Sequence, residues 1–197
     1  MSSLITENED GINIVDFYQA FEKLNVELSK INQKLDLICV GGYVMQLHGF
    51  RGTVDVDAFF ISNAEIDSAI HRVGDELGIN EPDESWLNNS VSNMNDKPPS
   101  EYTEVVHKFS NLTVMKVTIA YLVGMKLHGG RDRDLRDVQK ILKSNNDEQP
   151  LELLSELKKM GFEIDISVIL DTYHGVYGMD WLETFYRNNQ EELSKLF

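Results

Sequence analysis

The sequence predicts an α/β protein whose N-terminal half holds a sheet and whose C-terminal half is helical. Two observations lead there. Up to about residue 117 short apolar runs, some alternating, are interleaved with three- and four-residue periodicity, whereas from residue 118 onward only the helical period persists. The 197 residues are 42% hydrophobic and 26% charged, the balance of a folded chain rather than a disordered one. At this length one large domain, or one domain with a helical annex, can bury about two-thirds of its unfolded surface. Boundaries of 1–117 for the α/β core and 118–197 for the helical region follow.

The elements read in order. Ile12 to Ile31 places Ile14, Val15, Phe17, Phe21, Leu24 and Leu28 on one helical face. Leu35 to Val40 is apolar except for Asp36 and runs into Gly41-Gly42, as a buried strand feeding a tight turn does. Tyr43 to His48 reads as a short helix, and Thr53 to Ile61 as a second strand. Asn63 caps the next helix, Ile66 to Leu77 form its inner face, and Gly78 ends it. Residues 80–100, with three prolines and many Asn and Ser, read as a surface excursion. Tyr102 to Phe109 and Leu112 to Val117 flank Ser110-Asn111 as a strand pair. Helices follow over 119–127, 132–143, 151–160, 165–174 and 179–196.

Charge and composition exclude several roles. With 18 basic and 33 acidic residues the net charge is −15, so broad duplex-DNA binding is disfavoured. Residues 105–146 depart from this, with eight bases against three acids. A basic patch of that kind can hold a polyphosphate, but on charge alone such a run is more often an ordinary solvated helix face. The lone Cys39 rules out an internal disulfide and a multi-thiolate zinc site. No apolar run approaches the ~18 residues of a membrane span, and Glu7, Glu9 and Asp10 at the start do not resemble a secretion signal. A cytoplasmic location is expected.

Chemistry concentrates in Cys39-Val-Gly-Gly-Tyr-Val-Met-Gln-Leu-His-Gly-Phe-Arg-Gly-Thr-Val-Asp-Val-Asp57. Glycines between a strand and a helix let backbone N–H groups approach a phosphate without Cβ interference. Asp55 and Asp57, two apart on a strand, project to one face, where they can share a hard cation such as magnesium. His48 and His128 lie near glycines, though a lone His is usually a packed or capping residue. Cys39 reads as inert core; Trp86 and Tyr43 have rings able to stack a base, with an interior wedge the simpler role for Trp86.

That order of strand, Gly-Gly, helix, Arg-x-Thr and Asp-x-Asp resembles the signature of the nucleotidyltransferase superfamily related to DNA polymerase beta. Tyr121-Leu-Val-Gly-Met-Lys-Leu-His-Gly-Gly-Arg-Asp-Arg-Asp-Leu-Arg-Asp-Val138 and Ser85-Trp-Leu-Asn-Asn-Ser-Val91 resemble blocks of an uncharacterised nucleotidyltransferase-like family. The former is also similar to the Lys, Arg and Asp motif of abortive-infection toxins in type IV toxin–antitoxin systems. The resemblance implies a mixed sheet flanked by helices. It implies that Gly41 and Gly42 approach nucleotide phosphates, with Arg51 and Thr53 also nucleotide-binding, and that Asp55 and Asp57 hold one or two magnesium ions. It further implies that Lys126 reaches toward the triphosphate, with Arg131, Asp134 and Asp137 completing the site. Arg133 and Asp137, four apart, also suit an ordinary helix-surface pair.

The expected activity is transfer of a nucleoside monophosphate from a magnesium-bound nucleoside triphosphate to an acceptor hydroxyl on RNA, a protein or a small molecule. One departure from the family pattern matters. Active members place a third carboxylate on a later strand, and Leu112 to Val117 has none; Glu104 on the preceding strand is the nearest substitute. The alternative is therefore a catalytically inactive module that binds a nucleotide or a protein partner, such as the cognate antitoxin of a toxin–antitoxin pair.

Overall fold

A computed structural model describes residues 5–7, 13–82, 84–93 and 96–196. The chain divides into two compact units, Met1–Thr118 and Ile119–Phe197. The first is α/β and the second helical, so the predicted class holds.

In the first unit β1 (Ile5–Glu7) pairs antiparallel with β2 (Asn13–Val15). The predicted helix over 12–31 is therefore shorter than expected: Ile12 lies outside the described residues, 13–15 are extended, and α1 runs Phe17–Lys30. Asp16 sets that start, because its carboxylate accepts from the Tyr18 N–H and satisfies an end donor. The central sheet has the order β5-β4-β3-β7-β6, formed by β3 (Leu35–Cys39), β4 (Val56–Phe59), β5 (Leu87–Asn88), β6 (Thr103–Lys108) and β7 (Leu112–Val117). It is mixed. β3 is antiparallel to β4 and parallel to β7, β5 joins β4 in parallel, and β6 pairs antiparallel with β7.

Helix α2 (Gly41–Leu47) begins at the glycines themselves, two residues before the predicted start, and α3 (Ala64–Leu77) has the expected Asn63 and Gly78 caps. The excursion is not wholly irregular, since it supplies β5, and Trp86 beside it is 1% exposed. The Trp86 indole donates to the Ile70 carbonyl, and its ring stacks on Phe17 at 6.1 Å, which confirms the wedge.

Strand alternation sorts the sheet into two faces. Leu35, Leu37, Cys39, Val56, Ala58, Leu87, Leu112 and Val114 join Phe17, Phe21, Leu24, Ile66, Ile70 and Val73 of α1 and α3 in one buried core. Asp57, Phe59, Ile38 and Met115, offset by one residue, lie on the opposite face.

The second unit contains α4 (Ile119–Gly129), α5 (Asp132–Asn145), α6 (Pro150–Lys159), α7 (Ile166–Tyr177), α8 (Met179–Asn188) and α9 (Gln190–Leu193). The predicted final helix breaks at Asn189, whose side-chain amide donates to the Phe185 carbonyl. Among the described residues no helix is long and apolar enough to cross a membrane.

Candidate active site

The chain leaves β3 and turns at Gly41, whose φ of +59° favours glycine. A Cβ at Gly41 would lie 3.0 Å from Asp57 Oδ2, and one at Gly42 would lie 2.4 Å from Thr53 Oγ1 and 3.2 Å from an Arg51 guanidinium nitrogen. Three predicted residues, Arg51, Thr53 and Asp57, thus crowd the space where the two glycines lack a methyl group. The Thr53 hydroxyl donates to Asp55 Oδ1 at 2.7 Å, so Asp55 reaches the glycine pair through Thr53 as Asp57 does directly.

Asp55 corrects one expectation. The predicted strand over 53–61 shrinks to Val56–Phe59, and Asp55 sits in the bend before it. The reason is local: the Thr53 N–H donates to the Gln46 side chain at 2.9 Å and its hydroxyl holds Asp55, so this backbone is committed before the ladder begins. Asp55 and Asp57 are both half-buried, on either side of the fully buried Val56. Gln46 was not anticipated. Its amide also donates to the Val15 carbonyl, tying α2 to β2, and nothing in the sequence distinguishes it from a surface glutamine.

Register settles where Glu104 stands. Glu104 is opposite Lys116, which is opposite Cys39, and Cys39 is opposite Ala58 in the helix-covered core. Glu104 therefore shares the face of Cys39 and lies on the face opposite Asp57, where it pairs with Lys116 Nζ at 2.6 Å. The Lys116 ammonium holds the Glu104 carboxyl below its ordinary range. In the row of Asp57 the sheet presents Asn88 on β5, and Val117 on β7 opposite Thr103 on β6. Among the described residues no group of three or more His, Cys, Asp or Glu could hold a metal ion. Two carboxylates are nevertheless a sufficient protein share for magnesium, which keeps several waters and is usually completed by substrate phosphates.

Packing holds the side chains nearest the glycine pair. Burial, and secondarily Asp57, push the Cys39 thiol up, so it stays protonated and inert. Tyr43 is 3% exposed with its ring against Phe17 and Phe21, so stacking on a ligand is ruled out for it. His48 stacks on Phe50, and burial followed by Lys116 lowers its pKa. In the second unit His128 lies 6.4 Å from the Phe162 ring.

The second unit assembles its own cluster. Lys126, 5% exposed, donates to Asp134 Oδ1 at 2.9 Å and to Asp137 Oδ2 at 2.7 Å, both carboxylates being buried. Arg131 Nε donates to the second oxygen of Asp134 at 2.6 Å, while most of the Arg131 side chain is exposed. Asp137 thus faces inward to Lys126, not outward as in a surface helix pair.

The sequence model of a family described as "Nucleotidyltransferase of unknown function (DUF6036)" matches residues 16–165, about three-quarters of the chain. No curated protein and no solved structure shows significant similarity to the chain.

Proposed function

The chain belongs to this family of nucleotidyltransferases of unknown function, and from that premise we propose that it transfers a nucleoside monophosphate from a magnesium-bound triphosphate to an acceptor hydroxyl. The acceptor oxygen bonds to the α-phosphorus, the bond to the β-phosphate bridging oxygen breaks, pyrophosphate leaves, and the hydroxyl proton passes to solvent. The observation that carries this reading is the seating of Asp57 against Gly41 and of Asp55, through the Thr53 hydroxyl, beside Gly42. Magnesium, when bound, would offset charge on the triphosphate and on the departing pyrophosphate. Asp55 and Asp57 would hold it, with Thr53 orienting Asp55 and Gly41 and Gly42 giving the phosphates backbone access. Arg51 would offset phosphate charge. Within the second unit Lys126 holds Asp134, which also accepts from Arg131.

The chain's strongly acidic balance favours a small molecule, a protein side chain or an RNA end as acceptor over a long nucleic-acid footprint. Incubation with each α-labelled triphosphate and magnesium, with candidate acceptors, should give labelled product and free pyrophosphate. Asp57→Asn should abolish both. If no triphosphate binds in the presence of magnesium, the reading fails.

One observation favours a second reading. Val117 stands in the Asp57 row and Glu104 lies on the other face, so among the described residues the sheet presents no third carboxylate beside Asp57 to activate an acceptor. On this reading the protein binds magnesium–nucleotide without transfer and works through a partner, such as a cognate antitoxin. Calorimetry showing tight nucleotide binding, with no pyrophosphate released in any acceptor mixture, would select it.

A further inference from the structure

The sheet face that carries Asp57 continues into a cavity of about 600 Å³ in the first unit, within the range of small-molecule sites. Its floor is Ile38, Phe59 and Met115, which are register partners on β3, β4 and β7. Phe59 follows Asp57 by two residues on β4, so it points to the same side about 7 Å farther along the strand. The direction is away from the glycine pair. Lys34, Asp36, Asp96 and Lys97 also line the cavity, and Ile61, 90% exposed, stands at its lip.

We propose that this cavity binds the base of the nucleotide whose phosphates lie at Gly41, Gly42, Asp55 and Asp57. The inference rests on the nucleotide reading above and extends it. Three features carry it. The distance from Asp57 to Phe59 is about the span of a ribose between its 5′-phosphate and its base. An apolar floor with one aromatic ring and one thioether suits the face of a heterocycle. The charged lining is two Lys and two Asp, which sums to zero; it offers donors and acceptors to a base edge and no net attraction for a second phosphate, as an RNA end would need.

The test compares magnesium-bound ATP, GTP, CTP and UTP with magnesium-bound inorganic tripolyphosphate by calorimetry, using wild type, Met115→Trp to fill the cavity, and Asp36→Ala with Lys97→Ala. At least one nucleotide should bind wild type about tenfold or more tighter than tripolyphosphate, the order of one stacked base. Met115→Trp should bring that nucleotide to the tripolyphosphate level while leaving tripolyphosphate binding unchanged, which also shows that the variant is folded. The Asp36 and Lys97 changes should alter the preference among bases. Equal binding of nucleotides and tripolyphosphate to wild type, or a preference that survives Met115→Trp, overturns the base site alone. If neither tripolyphosphate nor any nucleotide binds, the nucleotide reading falls as well.

Discussion

Gly42 and Thr53 share a space that a single methyl group would overfill. The atom a Gly42→Ala side chain meets first is the Thr53 hydroxyl at 2.4 Å, followed by Thr53 Cβ at 2.8 Å, and that hydroxyl orients Asp55. Gly42→Ala should therefore cost about 1–3 kcal/mol in folding, the range for overpacking, and should weaken magnesium–nucleotide binding more than that loss accounts for. Urea denaturation and calorimetry on the same preparation separate the two effects. Gly41→Ala differs in kind: the left-handed φ itself costs ~1–2 kcal/mol, and the new Cβ would touch the Asp57 carboxylate at 3.0 Å. Thr53→Val tests the same link from the other side. It removes the donor to Asp55 at nearly constant volume, so nucleotide affinity should fall with little change in the urea midpoint; unchanged affinity would mean that Asp55 needs no orienting.

At the scale of elements, two sets of side-chain contacts tie helices and strands together. Lys126 on α4 is held between Asp134 and Asp137 on α5, and all three are buried. Lys126→Met removes the ammonium that the buried Asp134 and Asp137 carboxylates share and leaves Asp134 only its Arg131 partner, so a loss of about 3–5 kcal/mol is expected, and the triple variant with Asp134→Asn and Asp137→Asn should recover much of it. Urea midpoints of the three proteins check this. A destabilised single variant that the triple does not rescue would assign the loss to packing of the lysine stem instead. Asn80 plays the other part. Its carbonyl accepts from the Trp86 N–H, while its amide donates to the His71 carbonyl and Asp75, joining the end of α3 to the start of β5. These examples mark what was legible in the sequence. α3 was legible because its caps and periodicity are contiguous, and the meeting of Gly41, Gly42, Thr53, Asp55 and Asp57 because they fall within seventeen residues. β5 is two residues long and held by a side chain six positions away, so no local pattern announces it. The face of Glu104 depends on pairing between β3 and β7, strands more than seventy residues apart, and no spacing rule reports that register.

Across the whole molecule, several unrelated groups share one sign. Burial lowers the pKa of His107, seated among Tyr18, Phe21 and Phe109, with Asp16 opposing; burial and Lys116 lower that of His48. Hydrogen bonds from Lys30, Lys116 and Ser167 lower those of Glu27, Glu104 and Asp165. A pKa lowered by folding contributes stability that is fully present above the unfolded value and is lost as pH falls through the folded one. For the imidazoles the decline begins below the ordinary value of 6.5, and for these carboxylates below 4.5 for Glu and 3.8 for Asp. Repulsion from the net charge of −15 changes little between pH 7 and 5.5, because few carboxylates titrate there. The urea midpoint should thus be level from pH 8 to 7, fall gently to pH 5, and continue to fall below about 4.5. His107→Gln should make the decline between pH 7 and 5 shallower, with the share of His48 remaining, and leave the lower segment in place. A wild-type midpoint that holds level from pH 7 to 5 would show that neither imidazole is kept neutral by the fold.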